Sequence, residues 1–122
     1  LFPSGSAELV PESQRIGPVI AGLLAPISER VVISGHTDNV PISNARFPSN
    51  WELSSSRALN FMKFILAQDG RLQPARFSAT GCSEYRPVAS NDTEEGRTQN
   101  RRVEVLIARA YQPDKSKMQM IP

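Results

Sequence analysis

A single cysteine and a single histidine in 122 residues remove several chemistries before any motif is read. Cys82 has no internal partner, so no intrachain disulfide can staple the fold, and a lone buried thiol suits either redox compartment. One histidine and one cysteine cannot build a four-ligand zinc site without several carboxylates, so no metal and no other cofactor is expected. No run of about 18 apolar residues occurs, and nothing in the chain reads as a membrane-spanning helix. The chain opens on Leu1-Phe2-Pro3 instead of the charged and apolar blocks of a signal peptide, so any targeting or anchoring segment is expected outside these residues. Fourteen basic residues against twelve acidic ones leave a net charge of +2. That is too mild to argue for a nucleic-acid partner, which would usually show a concentrated basic face. Internal repeats and low-complexity blocks are absent too.

What is present fits one compact domain, expected over residues 1–111, with a polar, proline-bounded tail over 112–122. Apolar residues at 39% and charged residues at 21% are ordinary for a globular core. Residues 1–10 read as a short strand end and a turn punctuated by Pro3, Ser4, Gly5 and Ser6. Ile16, Val19, Ile20, Leu23, Leu24 and Ile27 recur at helical spacing, with Gly17 and Pro18 imposing a late start or a kink. Val31–Ser34 is a β-branched strand. The long aperiodic stretch over 36–49 is of the kind that more often carries function. Ser49 and Glu52 form a capping box for a helix from Trp51 to about Gln68, closed by Gly70. Phe77 and Ala79 alternate in a strand over Arg76–Gly81. Asn91 and Glu94 suggest a second capping box for a short helix to about Asn100, and Val103–Ala108 is a last strand. The expected architecture is an α/β two-layer sandwich, with two long helices on one face of a mixed four-stranded sheet.

One position breaks the helical pattern. Arg57 falls inside the apolar stripe, between Leu53 and Phe61, where a guanidinium needs an anion or a route to water. Asp38 follows the Val31–Ser34 strand, at the kind of strand end where ligands commonly sit. Together they could hold a zwitterion, the carboxylate taking an ammonium and the guanidinium a carboxylate. Alternatively they could simply pair with each other.

Three ordered motifs carry a family resemblance. Gly35-His36-Thr37-Asp38-Asn39, followed by Asn50-Trp51-Glu52-Leu53-Ser54-Ser55-Ser56-Arg57-Ala58, resembles the peptidoglycan-binding signature of the OmpA-like domain. Gly96-Arg97-Thr98-Gln99-Asn100-Arg101-Arg102-Val103-Glu104 is similar to its closing motif, and Phe2–Leu9 to its opening strand and turn. Arg46–Ser54 and Glu84-Tyr85-Arg86-Pro87 are most similar to the flagellar stator B-subunit branch (MotB-type).

The resemblance implies a non-catalytic domain binding the diaminopimelate of the peptidoglycan stem peptide, so as to anchor a stator to the cell wall. Asp38 would take the ammonium and Arg57 the carboxylate; Thr37, Asn50 and Leu53 would shape the pocket, and Arg101 would line or support it. Alanine at Asp38 or Arg57 is then expected to abolish wall binding without unfolding the domain. The resemblance also implies a homodimer, a membrane-embedded stator partner reached through an upstream region, and the periplasmic side of an inner membrane. An outer-membrane or secretion-system tether, or a peptidoglycan hydrolase, are the rival readings. Against the hydrolase, His36 and Asp38 lie two apart with no nucleophile elbow. Trp51 reads as a packing residue at a helix start, with a sugar-stacking face as the other reading.

Overall fold

A computed structural model describes residues 1–108; the domain end expected at 111 and the tail over 112–122 lie outside the described residues. Helix α1 spans Ile16–Leu24, β1 Arg30–Gly35, α2 Asn50–Gln68, β2 Phe77–Gly81, α3 Glu94–Asn100 and β3 Val103–Ala108. Among the described residues the sheet has three strands in the order β2-β1-β3. β1 runs parallel to β2 and antiparallel to β3, so the sheet is mixed, as expected.

Two expectations are corrected. Residues 1–10 form no strand. Pro3 has no N–H to give a ladder, Gly5 turns the chain at φ 68°, and the carbonyls of Phe2, Pro3, Ser6 and Ala7 are taken by side chains instead. Nor are both helices long: α2 has 19 residues but α1 only nine. Pro11–Arg15 forms a 3₁₀ turn ahead of α1, which puts Pro18 in the first turn of α1, where its missing N–H costs nothing.

The end signals are also reassigned in detail. Ser49 caps α2 by accepting the Trp51 N–H at 3.2 Å, while its hydroxyl donates to Glu52 at 2.6 Å. Thr93, not Asn91, caps α3, with its hydroxyl oxygen accepting the Gly96 N–H. Asp69 ends α2 by leaving helical geometry and binding the Arg71 N–H and guanidinium.

The core lies between the helices and one sheet face, where Ala21, Leu24, Val31, Ile33, Ala58, Phe61, Ile65 and Leu72 form a buried cluster. Burying each large member contributes roughly 1.5–3 kcal/mol. Gly35 and Gly81 are register partners at the ends of β1 and β2. A Cβ on Gly35 would strike the Ser54 carbonyl, and one on Gly81 the Ser54 and Ser55 hydroxyls. Their lack of side chains lets the first turns of α2 rest against the strand ends. That close approach carries Arg57 over the residues that follow β1.

Candidate functional site

The loop after β1 stays in register beyond the strand. The His36 N–H donates to the Arg102 carbonyl at 2.8 Å, and the Thr37 N–H to the Ser83 carbonyl at 3.0 Å. Held on both sides, the chain presents Asp38 at a fixed place. One Asp38 carboxylate oxygen accepts from Arg101 Nη1 at 2.8 Å, and the other from the Val40 N–H at 3.1 Å. The direct Asp38–Arg57 pair left open by the sequence is not formed; Arg101 is the partner. Arg101 also reaches Glu94 at 3.0 Å, and these two carboxylates raise its pKa against the effect of its burial. The adjacent Arg102 turns to the other side and pairs with Glu104 at 3.1 Å.

Arg57 is wholly buried, at 0% exposure. Its Nε donates to the Ser6 carbonyl at 2.8 Å, Nη1 to His36 at 3.0 Å and Nη2 to Pro3 at 3.0 Å. The guanidinium also lies 5.1 Å above the Phe2 ring centre. Among the described residues no carboxylate pairs with it. Burial draws its pKa down to about 10, with the negative charge of Asp38 opposing that fall and Arg101 adding to it. Arg101 is thus neutralised by acids, whereas Arg57 holds its charge among neutral carbonyls.

A cavity of about 110 Å³ opens beside these groups, lined by Ser4, Gly5, Asp38, Val40, Pro41, Ile42, Asn50 and Leu53. It is smaller than the ~150 Å³ that accommodates a benzene ring, a size suited to the head of an amino acid. The Asn50 side chain is 6% exposed, and its Nδ2 faces two acceptors, the Val40 carbonyl and Glu84 Oε1. That fixes the amide orientation and leaves Asn50 Oδ1 buried without a donor among the described residues. A buried acceptor left unmatched is costly, and here it belongs to a residue of the cavity wall. A larger open groove of about 510 Å³ runs from Gly5–Glu8 to Asn44–Phe47 and shares Gly5 with the cavity.

Of the residues singled out in the sequence, Asp38, Asn50 and Leu53 meet at the cavity wall. Thr37 is buried behind it, its hydroxyl turned onto the Asp38 carbonyl at 2.8 Å. Arg57 lies under the turn at Pro3–Ser6 rather than at the wall. The sequence reading missed this turn as the cover of Arg57, although Pro3 and Gly5 marked it as a turn. It also missed Asn100, which is fully buried. The Asn100 amide accepts the Val88 and Ala89 N–H groups and donates to the Ala89 carbonyl and to Asn91, fastening the loop before α3. Only the Asn100 side-chain type hinted at such a role.

Known proteins are similar to this chain in sequence and in fold. Motility protein B of Bacillus subtilis is 51% identical over 107 residues, covering 87% of this chain and 41% of that protein. The chain therefore spans less than half the length of that relative. The cell wall anchor of the T6SS from Pseudomonas aeruginosa is 43% identical with a TM-score of 0.75, over 86% of this chain and 72% of that one. The C-terminal domain of Helicobacter pylori MotB superposes with a TM-score of 0.83 at 25% identity, over 91% of this chain and 84% of that one. The OmpA family profile matches residues 1–101; the chain belongs to the OmpA family.

Proposed function

We propose that this domain binds peptidoglycan without turning it over, by gripping the diaminopimelate of the stem peptide, and so fixes a flagellar stator to the cell wall. The observation that carries the reading is the cavity whose wall holds Asp38 and Asn50, next to a buried guanidinium that has no carboxylate partner among the described residues. An ammonium entering there would donate to the Asp38 carboxylate, and to Asn50 Oδ1 once the wall shifts to expose that buried oxygen. The carboxylate on the same carbon would replace the Pro3 and Ser6 carbonyls at Arg57, exchanging neutral acceptors for a charged one. This requires the turn at Pro3–Ser6 to lift. The open groove beside Gly5 offers room for the rest of the peptide.

The two machines named among the similar proteins, a motility apparatus and a secretion system, favour a wall grip common to both. The identity to Motility protein B over most of the chain favours the stator. In that setting the domain works on the periplasmic side, as one of two copies, joined upstream to a membrane-embedded partner. Each charge-assisted hydrogen bond contributes roughly 1.5–3 kcal/mol before desolvation and ordering are subtracted. Weak single sites suffice where a polymer offers many copies.

The test compares stem peptides identical except at the third residue, diaminopimelate against lysine. Lysine keeps the ammonium and lacks the carboxylate meant for Arg57, so its peptide should bind roughly 10- to 100-fold more weakly. Asp38→Asn should weaken both peptides and abolish co-sedimentation with sacculi. Equal affinity for the two peptides would refute the assignment of Arg57.

A further inference from the structure

Beside the cavity stands an aromatic pair that the peptide grip does not use. Trp51 is 50% exposed and Tyr85 68% exposed, with ring centres 5.6 Å apart and planes inclined by 37°. Two large rings left in water are normally drawn inward by their apolar area, yet here the fold holds them out. Trp51 directly follows Asn50 of the cavity wall, and Tyr85 directly follows Glu84, to which the Asn50 amide donates at 3.4 Å. The pair is therefore fixed to the rim of the cavity.

The segment carrying Tyr85 is also held in an unfavourable backbone shape. Ser83 has φ 57°, the one positive φ on a non-glycine residue among the described residues. Side chains disfavour that region by roughly 1–2 kcal/mol. Ser83 is kept there by its N–H donating to Ser54 Oγ at 2.9 Å and its carbonyl accepting the Thr37 N–H at 3.0 Å. Three residues on, the Arg86 carbonyl accepts from Arg102 Nη2 at 2.9 Å. The left-handed turn folds the chain back over the start of α2 and sets Tyr85 against Trp51. Strain retained beside a binding cavity is more informative about function than about packing.

We infer that Trp51 and Tyr85 form a stacking platform for an N-acetylated sugar of the glycan strand, next to the site that takes the stem peptide. The inference rests on the peptidoglycan reading. The apolar face of a pyranose presents C–H groups of slight positive charge, which match the negative face of an aromatic ring. In peptidoglycan the stem peptide hangs from such a sugar, so a peptide seated at Asp38 and Asn50 brings a sugar near the rim. A protein partner would also cover exposed rings, but it would not explain their attachment to the wall of a small cavity that holds Asp38 and Asn50.

Trp51 is the only tryptophan, so its fluorescence reports on the platform directly. Titration with N-acetylglucosamine oligomers should change its emission saturably, and Tyr85→Ser should weaken that response about three- to tenfold. Binding of the sugar-free stem peptide should not change in Tyr85→Ser, whereas the peptide carrying its disaccharide should lose affinity by the same factor. No saturable response to the sugar, or equal losses for the peptide with and without sugar, would overturn the inference. A sugar response that persists while no stem peptide binds would sink only the diaminopimelate reading.

Discussion

Arg57 in α2 and Pro3 near the start of the described chain are joined by a 3.0 Å hydrogen bond from the guanidinium to the carbonyl, which places a short turn as a lid over a buried cation. The bonds to Ser6 and His36 complete that cover. Arg57 is consequently both a candidate ligand group and a structural centre, and the two roles have separable consequences.

Alanine at Arg57 would take the guanidinium donor from the Ser6 and His36 carbonyls, leave the Pro3 carbonyl with only the Ser6 N–H, and remove the packing over Phe2. A loss of about 3–5 kcal/mol of stability is expected, read from urea unfolding. This revises the expectation that the variant keeps its fold. An unfolding midpoint equal to that of the unaltered protein would show that these bonds matter little.

Gly5 turns the lid at φ 68°. A Cβ there meets Ile42 Cδ1 at 3.6 Å, an ordinary contact, so Gly5→Ala strains the backbone without a clash. The closed turn should lose about 1–2 kcal/mol, lowering thermal stability. Because the strain falls only on the closed turn, affinity for the diaminopimelate peptide should rise, by up to about tenfold. Calorimetry on the variant checks both signs, and a fall in affinity would count against a lid that has to open.

His36 is buried, with Nε2 3.3 Å from Glu104. Burial and the nearby Arg102 and Arg86 lower its pKa below 6.5, although Glu104 acts in the opposite direction. Glu104 itself stays below the usual carboxylate range: burial raises it, but Arg102 and His36 outweigh that. The unfolded chain therefore takes up the His36 proton first as pH falls. The His36 contribution to stability should be level above about pH 7 and decline as pH drops below 6.5, with a slope of no more than about 1.4 kcal/mol per pH unit from this one site. His36→Gln should flatten that decline, and Tm measured between pH 7.5 and 5 will show whether it does.

The elements with strong local signals were legible. The apolar stripe of α2, the β-branched run of β1 and the alternation in β3 each follow from side-chain periodicity, which is a local property. The placement of Arg57 within the α2 stripe was legible for the same reason, and it marked the site. The length of α1 was less so, since Pro18 permits a first turn but does not say where the preceding 3₁₀ turn ends.

The sequence by itself determined which helix and which strand end carry charge where an apolar residue would be ordinary. Only the tertiary structure decided that Asp38 meets Arg101 across 63 positions, that Arg57 is capped by the turn at Pro3–Ser6, and that Tyr85 is folded back onto Trp51. Periodicity reports which face of an element is buried. It does not report which distant carbonyl or carboxylate comes to meet that face, because those partners are set by chain closure across the sheet.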